Sequence, residues 1–155
     1  MDFYSLTKTL HIISSTILFG TGLGIAFFMF CARYAKNIHE KYYATRFTVL
    51  ADYIFTAPAV VLQPLTGIVL IMNGGFDPNA LWLHLTYGLY ALAGICWLPV
   101  VWIQIQMKRI LAECVATGAE IPARYSKLYS IWFWLGWPAF FSLIGIFYLM
   151  VAKPV

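Results

Sequence analysis

The chain has 155 residues, of which 62% are hydrophobic and 10% charged, and its mean hydropathy is +0.79. A water-soluble surface cannot be assembled from what remains, so this is an integral membrane protein with no soluble domain left over. The net charge of +4 and a pI near 9.0 are read below as a topology signal and not as a nucleic-acid or acidic-substrate site. One domain fits, with four spans of about 20 residues or more, each long enough to cross a hydrocarbon core about 30 Å thick.

In chain order, the first apolar run predicts a helix over about 5–33, with Lys8 and His11 as its strongly polar members. It is much longer than a cleavable signal segment and no small-residue cleavage site precedes Arg33 and Lys36, so it is expected to remain in the mature protein. Gly20 and Gly24 stand at small-xxx-small spacing with Gly22 between them, an arrangement that lets a backbone or a flat ligand approach. After polar Tyr34–Lys41, a second helix is predicted over about 45–73, with Asp52 near its start and prolines at 58 and 64. A membrane helix tolerates such prolines if neighbours satisfy the freed carbonyls. Turn residues follow from Asn73 to Pro78. The third helix is predicted over about 80–109, interrupted by Pro99, and the fourth over about 127–152. The expected fold class is all-α, an up-and-down four-helix integral membrane bundle.

Charge placement orients that bundle. Arg33, Lys36, Lys41 and Arg46 flank the first connection, Lys108, Arg109, Arg124 and Lys127 flank the third, and the second has no Lys or Arg. The positive-inside rule puts the first and third connections in the cytoplasm, and both termini and the second connection on the outer face of a bacterial inner membrane. Phe3, Tyr4 and Trp82 then mark the outer interface, and Tyr125, Tyr129, Trp132 and Trp134 the inner one. Cys31, Cys96 and Cys114 form no CxxC pair, which argues against a disulfide framework or a thiolate metal site.

Two histidines lie inside the runs. An ionisable side chain there is a functional-site hypothesis by default. At 1.5 Å per residue, His11 and His84 sit roughly 9 Å and 6 Å into their helices from the same end. The first and third helices occupy diagonal corners of such a bundle, about 13 Å apart if neighbouring axes are 8 to 10 Å apart. A planar macrocycle with an axial imidazole on each side fits that gap, so the expected cofactor is haem b, with His11 and His84 on the iron. Lys8, one turn outward of His11, and Lys153 are placed to neutralise propionates. Ser14, Ser15 and Tyr87 share the histidine faces and are placed to hydrogen-bond behind them. The competing expectation is that each histidine bonds a backbone carbonyl near the interface. For Asp52, pairing with Arg46 or Arg33 is expected ahead of a proton-relay role. Gln63, Gln104 and Gln106 are polar groups of a kind a quinone site uses, and His39 belongs to the charged connection.

The segments Leu6-Thr-Lys-Thr-Leu-His-Ile-Ile-Ser-Ser15, Phe19-Gly-Thr-Gly-Leu-Gly24, Ala51-Asp-Tyr-Ile-Phe-Thr-Ala-Pro58, Leu62-Gln-Pro-Leu-Thr-Gly67 and Cys96-Trp-Leu-Pro-Val-Val-Trp102 together resemble an uncharacterised family of small bacterial integral membrane proteins. The resemblance covers nearly the whole chain and implies no function. More distantly, the Leu-Lys-x-Leu-His type of pattern around His11 and Trp82-Leu-His84 resemble the HemJ-type protoporphyrinogen oxidases and the copper-resistance-D-like membrane proteins. The former resemblance implies four membrane helices, bound haem b and a first-helix histidine matching His11. HemJ-type proteins carry a lysine two residues after the position of His84, where this chain has Thr86; the departure speaks against protoporphyrinogen oxidation and leaves a haem site open.

The favoured expectation is thus a haem oxidoreductase or electron carrier with a membrane or periplasmic redox partner. A non-enzymatic accessory subunit of a membrane complex and a copper-resistance-D-like transporter stay open, as does a homo-oligomer. Against the transporter, Met29, Met72, Met107 and Met150 are scattered in depth and form no soft-ligand cluster.

Overall fold

The computed structural model describes residues 2–154, and every described element is helical: α1 Phe3–Arg33, α2 Ile38–Ala51, α3 Ala57–Asn73, α4 Leu81–Thr117 and α5 Ala123–Ala152. A π turn over Asp52–Thr56 joins α2 to α3 without a break, so these three form one span, Ile38–Asn73. With α1, α4 and α5 this gives four helices long and apolar enough to cross a membrane.

The helices outrun their apolar runs where they pass into the charged connections. The second span starts at Ile38, seven residues before the hydropathy does, because the Asn37 side chain accepts the His39 N–H at 2.9 Å and caps the helix there. α4 continues to Thr117, past Lys108 and Arg109, until Gly118 takes a left-handed conformation (φ 71°) and its N–H closes on the Cys114 carbonyl at 2.9 Å. Hydropathy marks where a helix leaves hydrocarbon; caps mark where it ends. At the other end of the molecule the Asp2 carboxylate accepts the Ser5 N–H at 2.9 Å and starts α1. That bond holds the Asp2 carboxyl below the usual carboxylate range.

The π turn has a local cause. Pro58 has no N–H for the carbonyl one turn earlier, and its ring collides with that carbonyl in a regular α-helix. Widening the turn just before the proline relieves the collision, and the Ala57 N–H bonds back to the Asp52 carbonyl in π fashion.

Around the bundle, α1 packs on α2 and α3, α2 packs on α4, and α4 packs along α5 in the most extensive interface. Phe19 of α1 stacks on Phe140 of α5 at 5.5 Å and meets Phe147 edge-on at 5.4 Å, which closes the ring. The first and third spans are therefore diagonal, as an up-and-down bundle requires. Lys153 lies 4.4 Å from the Phe76 ring, so the C-terminal helix ends beside the α3–α4 connection. Both termini share that end, the terminal end; the eight Lys and Arg residues of the first and third connections mark the opposite, basic end.

The two ends are packed unequally. At the basic end, Ile25, Met29, Ile103, Met107, Leu111, Tyr125, Leu128, Tyr129 and Trp132 form one buried cluster from α1, α4 and α5. At the terminal end a smaller cluster of Trp82, Leu83 and Leu149 holds α4 to α5, while α3 makes no comparable interface with either. Outward-facing Ile95, Leu98, Val61 and Trp134 are all exposed in the isolated chain and contact lipid acyl chains in the bilayer.

Gly145 marks the tight side: a Cβ there would stand 2.9 Å from Cδ1 of Leu89 across the α4–α5 interface. Gly145→Ala is expected to be tolerated through a small shift of the flexible Leu89 side chain, whereas Gly145→Leu forces the helices apart at about 1–3 kcal/mol. Thermal unfolding of both variants in detergent checks this, the prediction being a lowered midpoint for the leucine variant only.

Candidate functional site

Because α3 stands off from α4 and α5, the terminal half of the bundle encloses a cavity of about 680 Å³ walled by all four spans. Its walls are mainly apolar, with Lys8, His11, Ser15, Gln63, Tyr87, Tyr90 and Lys153 among the polar members. Size and lining suit a small-molecule or cofactor site.

His11 is fixed in this wall from both sides. Its Nδ1 is 2.7 Å from Oγ1 of Thr66 on α3, and the Thr66 hydroxyl gives its proton to the Leu62 carbonyl at 2.6 Å. Thr66 is therefore the acceptor, Nδ1 of the neutral ring is the donor, and Nε2 is left with its lone pair. Behind the ring, Gln63 Nε2 donates to the His11 carbonyl at 2.8 Å and to Ser14 Oγ at 2.5 Å. Helix α1 is thus tied to α3 at the depth of the histidine. Gly67, one residue beyond Thr66, leaves room beside the ring: a Cβ there would lie 3.5 Å from His11 Cε1.

Tyr90 closes the deeper edge. Pro64 removes the N–H that would serve the Val60 carbonyl in α3, and the Tyr90 hydroxyl of α4 donates to that carbonyl at 2.5 Å. Near the C-terminal end, Lys153 sits over the Phe76 and Trp82 rings at 4.4 and 5.8 Å, and Lys8 of α1 lines the same cavity.

Of the residues singled out by sequence, Lys8, His11, Ser15 and Tyr87 line the cavity; Ser15 also bonds back to the Ile12 carbonyl at 2.8 Å. His84 is not among the lining residues. It is exposed, with Nδ1 3.2 Å from the carbonyl of Ala80 on its own helix, and its ring lies 6.2 Å from that of Tyr87. The α4 residues facing the cavity are Trp82, Leu83, Thr86, Tyr87 and Tyr90, and His84, the residue after Leu83, is turned about 100° further round the helix. Gly20, Gly22 and Gly24 have open space where a Cβ would stand, so within this chain they admit no close backbone. Thr66 and Tyr90 are the site residues that sequence reasoning did not name, and Gln63, expected only as a polar group of the quinone-site kind, ties α1 to α3. The signal for Tyr90 was Pro64, whose orphaned carbonyl demands a donor from a neighbouring span.

Asp52 corrects an expectation. Arg33 lies over the Tyr129 ring at 5.5 Å and Arg46 over the Phe47 ring at 5.7 Å, both drawn toward the basic end. The buried Asp52 carboxyl is met instead by neutral donors, Trp97 Nε1 at 3.5 Å and the amide of Gln104. Among the described residues no group of three or more His, Cys, Asp and Glu side chains is placed to hold a metal ion, and the three cysteines are free.

Residues 5–154 match the family described as predicted integral membrane protein (DUF2269). The chain belongs to that family. No curated protein and no solved structure matches it. The DUF2269 match agrees with the resemblance drawn from the five sequence segments, and it does not extend to the HemJ-type or copper-resistance-D-like proteins.

Thr66→Val is expected to release His11 from its single tautomer at a cost of about 1 kcal/mol, the loss of one hydrogen bond. Nitrogen-15 spectra of histidine-labelled protein read this directly: Nδ1-protonated signals for His11 in the unmodified chain, and a mixture of tautomers in the variant.

Proposed function

We propose that this DUF2269 protein binds a b-type haem in the terminal-end cavity, with His11 as its protein ligand to iron, and that it serves electron transfer. The observation that carries the reading is the 2.7 Å contact between His11 Nδ1 and Thr66 Oγ1, which leaves Nε2 unprotonated on a ring that lines a largely apolar cavity. An imidazole held through one nitrogen with the other free is the arrangement metal-ligating histidines use. The cavity volume suits a flat macrocycle, and Lys8 and Lys153 give its mouth the positive charge that two propionates require. When bound, the haem supplies a one-electron couple. The protein's own contribution is to hold the imidazole, exclude water with apolar walls and neutralise the acidic edge.

The geometry supports a single histidine better than a pair, since His84 faces away from the cavity. Tyr87 then stands in the wall on the α4 side. Under the positive-inside rule the basic end is cytoplasmic, so the cavity opens in the outer leaflet of a bacterial cytoplasmic membrane, within reach of a membrane or periplasmic redox partner.

The test is a pyridine haemochrome assay with a reduced-minus-oxidised visible spectrum, on protein purified in detergent from haem-replete cells. One haem b per chain is expected. His11→Ala should lower haem content by at least about tenfold, and His84→Ala should retain it. Loss in both variants would instead establish the two-histidine site, and unmodified protein without haem would refute the reading.

A further inference from the structure

The basic half of the bundle holds a second polar group, separate from the cavity. Asp52 and Thr56 on the π turn are each 4% exposed and Gln104 of α4 is 1% exposed, among the least accessible side chains of the protein. Trp97 Nε1 points at Asp52 Oδ1 from 3.5 Å. The orientation of Gln104 is fixed independently: Trp132 Nε1, 3.0 Å away, can only donate, so it takes the Gln104 oxygen and turns the amide NH₂ to Asp52 Oδ2. The carboxyl of the second span therefore takes both donors from α4, with Trp132 of α5 behind one of them, and neither donor carries a formal charge.

Among the described residues no cation is paired with this carboxyl. The α1 residues in the adjoining cluster, Ile25 and Met29, carry no charge, and Arg33 is engaged with Tyr129. On α2, Arg46 lies over Phe47. The ionisable groups of α5 in the adjoining cluster are the phenols Tyr125 and Tyr129, and α4 adds the buried thiol of Cys96. An ionised carboxylate surrounded by neutral groups in hydrocarbon is costly, and taking up a proton removes the charge. The protonated acid then needs an acceptor for its own O–H. Thr56 supplies one: its buried hydroxyl has no other hydrogen-bond partner among the described residues, and beside the Asp52 carboxyl it donates while the acid is ionised and can turn to accept once the acid is protonated.

We propose that Asp52 is a reversible proton-binding site within the membrane, with the Thr56 hydroxyl accepting the hydrogen bond of the protonated carboxyl. The step is a simple acid–base one. An O–H bond forms on a carboxylate oxygen, the proton comes from water, the site passes from one negative charge to none, and no electrons move. A metal cation does not suit the same place, because the N–H groups of Trp97 and Gln104 turn the positive ends of their dipoles toward it. One carboxylate and one hydroxyl are also fewer oxygens than a hard cation takes.

Infrared difference spectra of the full chain in liposomes, recorded across a pH series, test this. The unmodified protein is expected to show a carboxylic-acid C=O band that appears on acidification and vanishes on return. The band should be absent from Asp52→Asn, a substitution of nearly the same shape, and displaced in Thr56→Val, which removes the acceptor. Identical spectra for the unmodified protein and Asp52→Asn throughout the pH range in which both are folded would overturn the proposal. So would a band unmoved by Thr56→Val. Should Asp52→Asn fail to fold, carbon-13 aspartate labelling of the unmodified and Thr56→Val proteins gives the same decision: a labelled buried-acid band that shifts in the variant supports the site, and its absence or immobility refutes it.

Discussion

Inside a bilayer no water repairs a broken backbone hydrogen bond, and the two prolines of the second span force this protein to find repairs within itself. Pro58 widens the chain into a π turn, and the turn carries Asp52 and Thr56 into the bundle instead of leaving them in a regular helical register. Pro64 strips the donor from the Val60 carbonyl, and the phenol of Tyr90 reaches over from α4 to replace it. Both polar regions of the molecule begin from these repairs. One is a buried acid at the basic end and the other is the deep edge of the cavity at the terminal end.

The same span divides the bundle mechanically. Its first half packs on α4, its second half leans mainly on α1, and the tie that keeps it there is polar: Thr66 to His11, and Gln63 to the His11 carbonyl and Ser14. Hydrophobic association between helices is weak when lipid is equally apolar, so a few well-formed interhelical hydrogen bonds set which pairs stay together. A histidine in this wall thus has a structural duty toward α3 as well as a free ring nitrogen. The two are compatible because they use opposite atoms of the imidazole.

The spans, their number and their up-and-down order were legible in the sequence because hydropathy and helix length are matched to bilayer thickness. Helix ends at the charged connections were not, since Asn37 and Gly118 stop the backbone by capping and apolar runs stop earlier for a different reason. The depth of His11 and the lysines near it could be read from spacing along the chain. The facing of His84 could not, because depth is one coordinate and rotation about the helix axis is another, and membrane helices apolar on every side give little rotational signal. Asp52 was visible as a buried acid, but its partners were not. Pairing by charge favoured the arginines near it in sequence, while the π turn aims it at an indole and an amide on another span, some fifty residues further along.

The gap left between α3 and α4 at the terminal end lies between neighbouring spans, so it faces the acyl chains as well as the membrane surface. Beyond the Tyr90 bridge no further side-chain hydrogen bond joins the two helices among the described residues. For the haem proposed above, such a gap is a way in from the leaflet that crosses no water and unfolds no helix, with Lys8 and Lys153 in the cavity wall to meet its acidic edge.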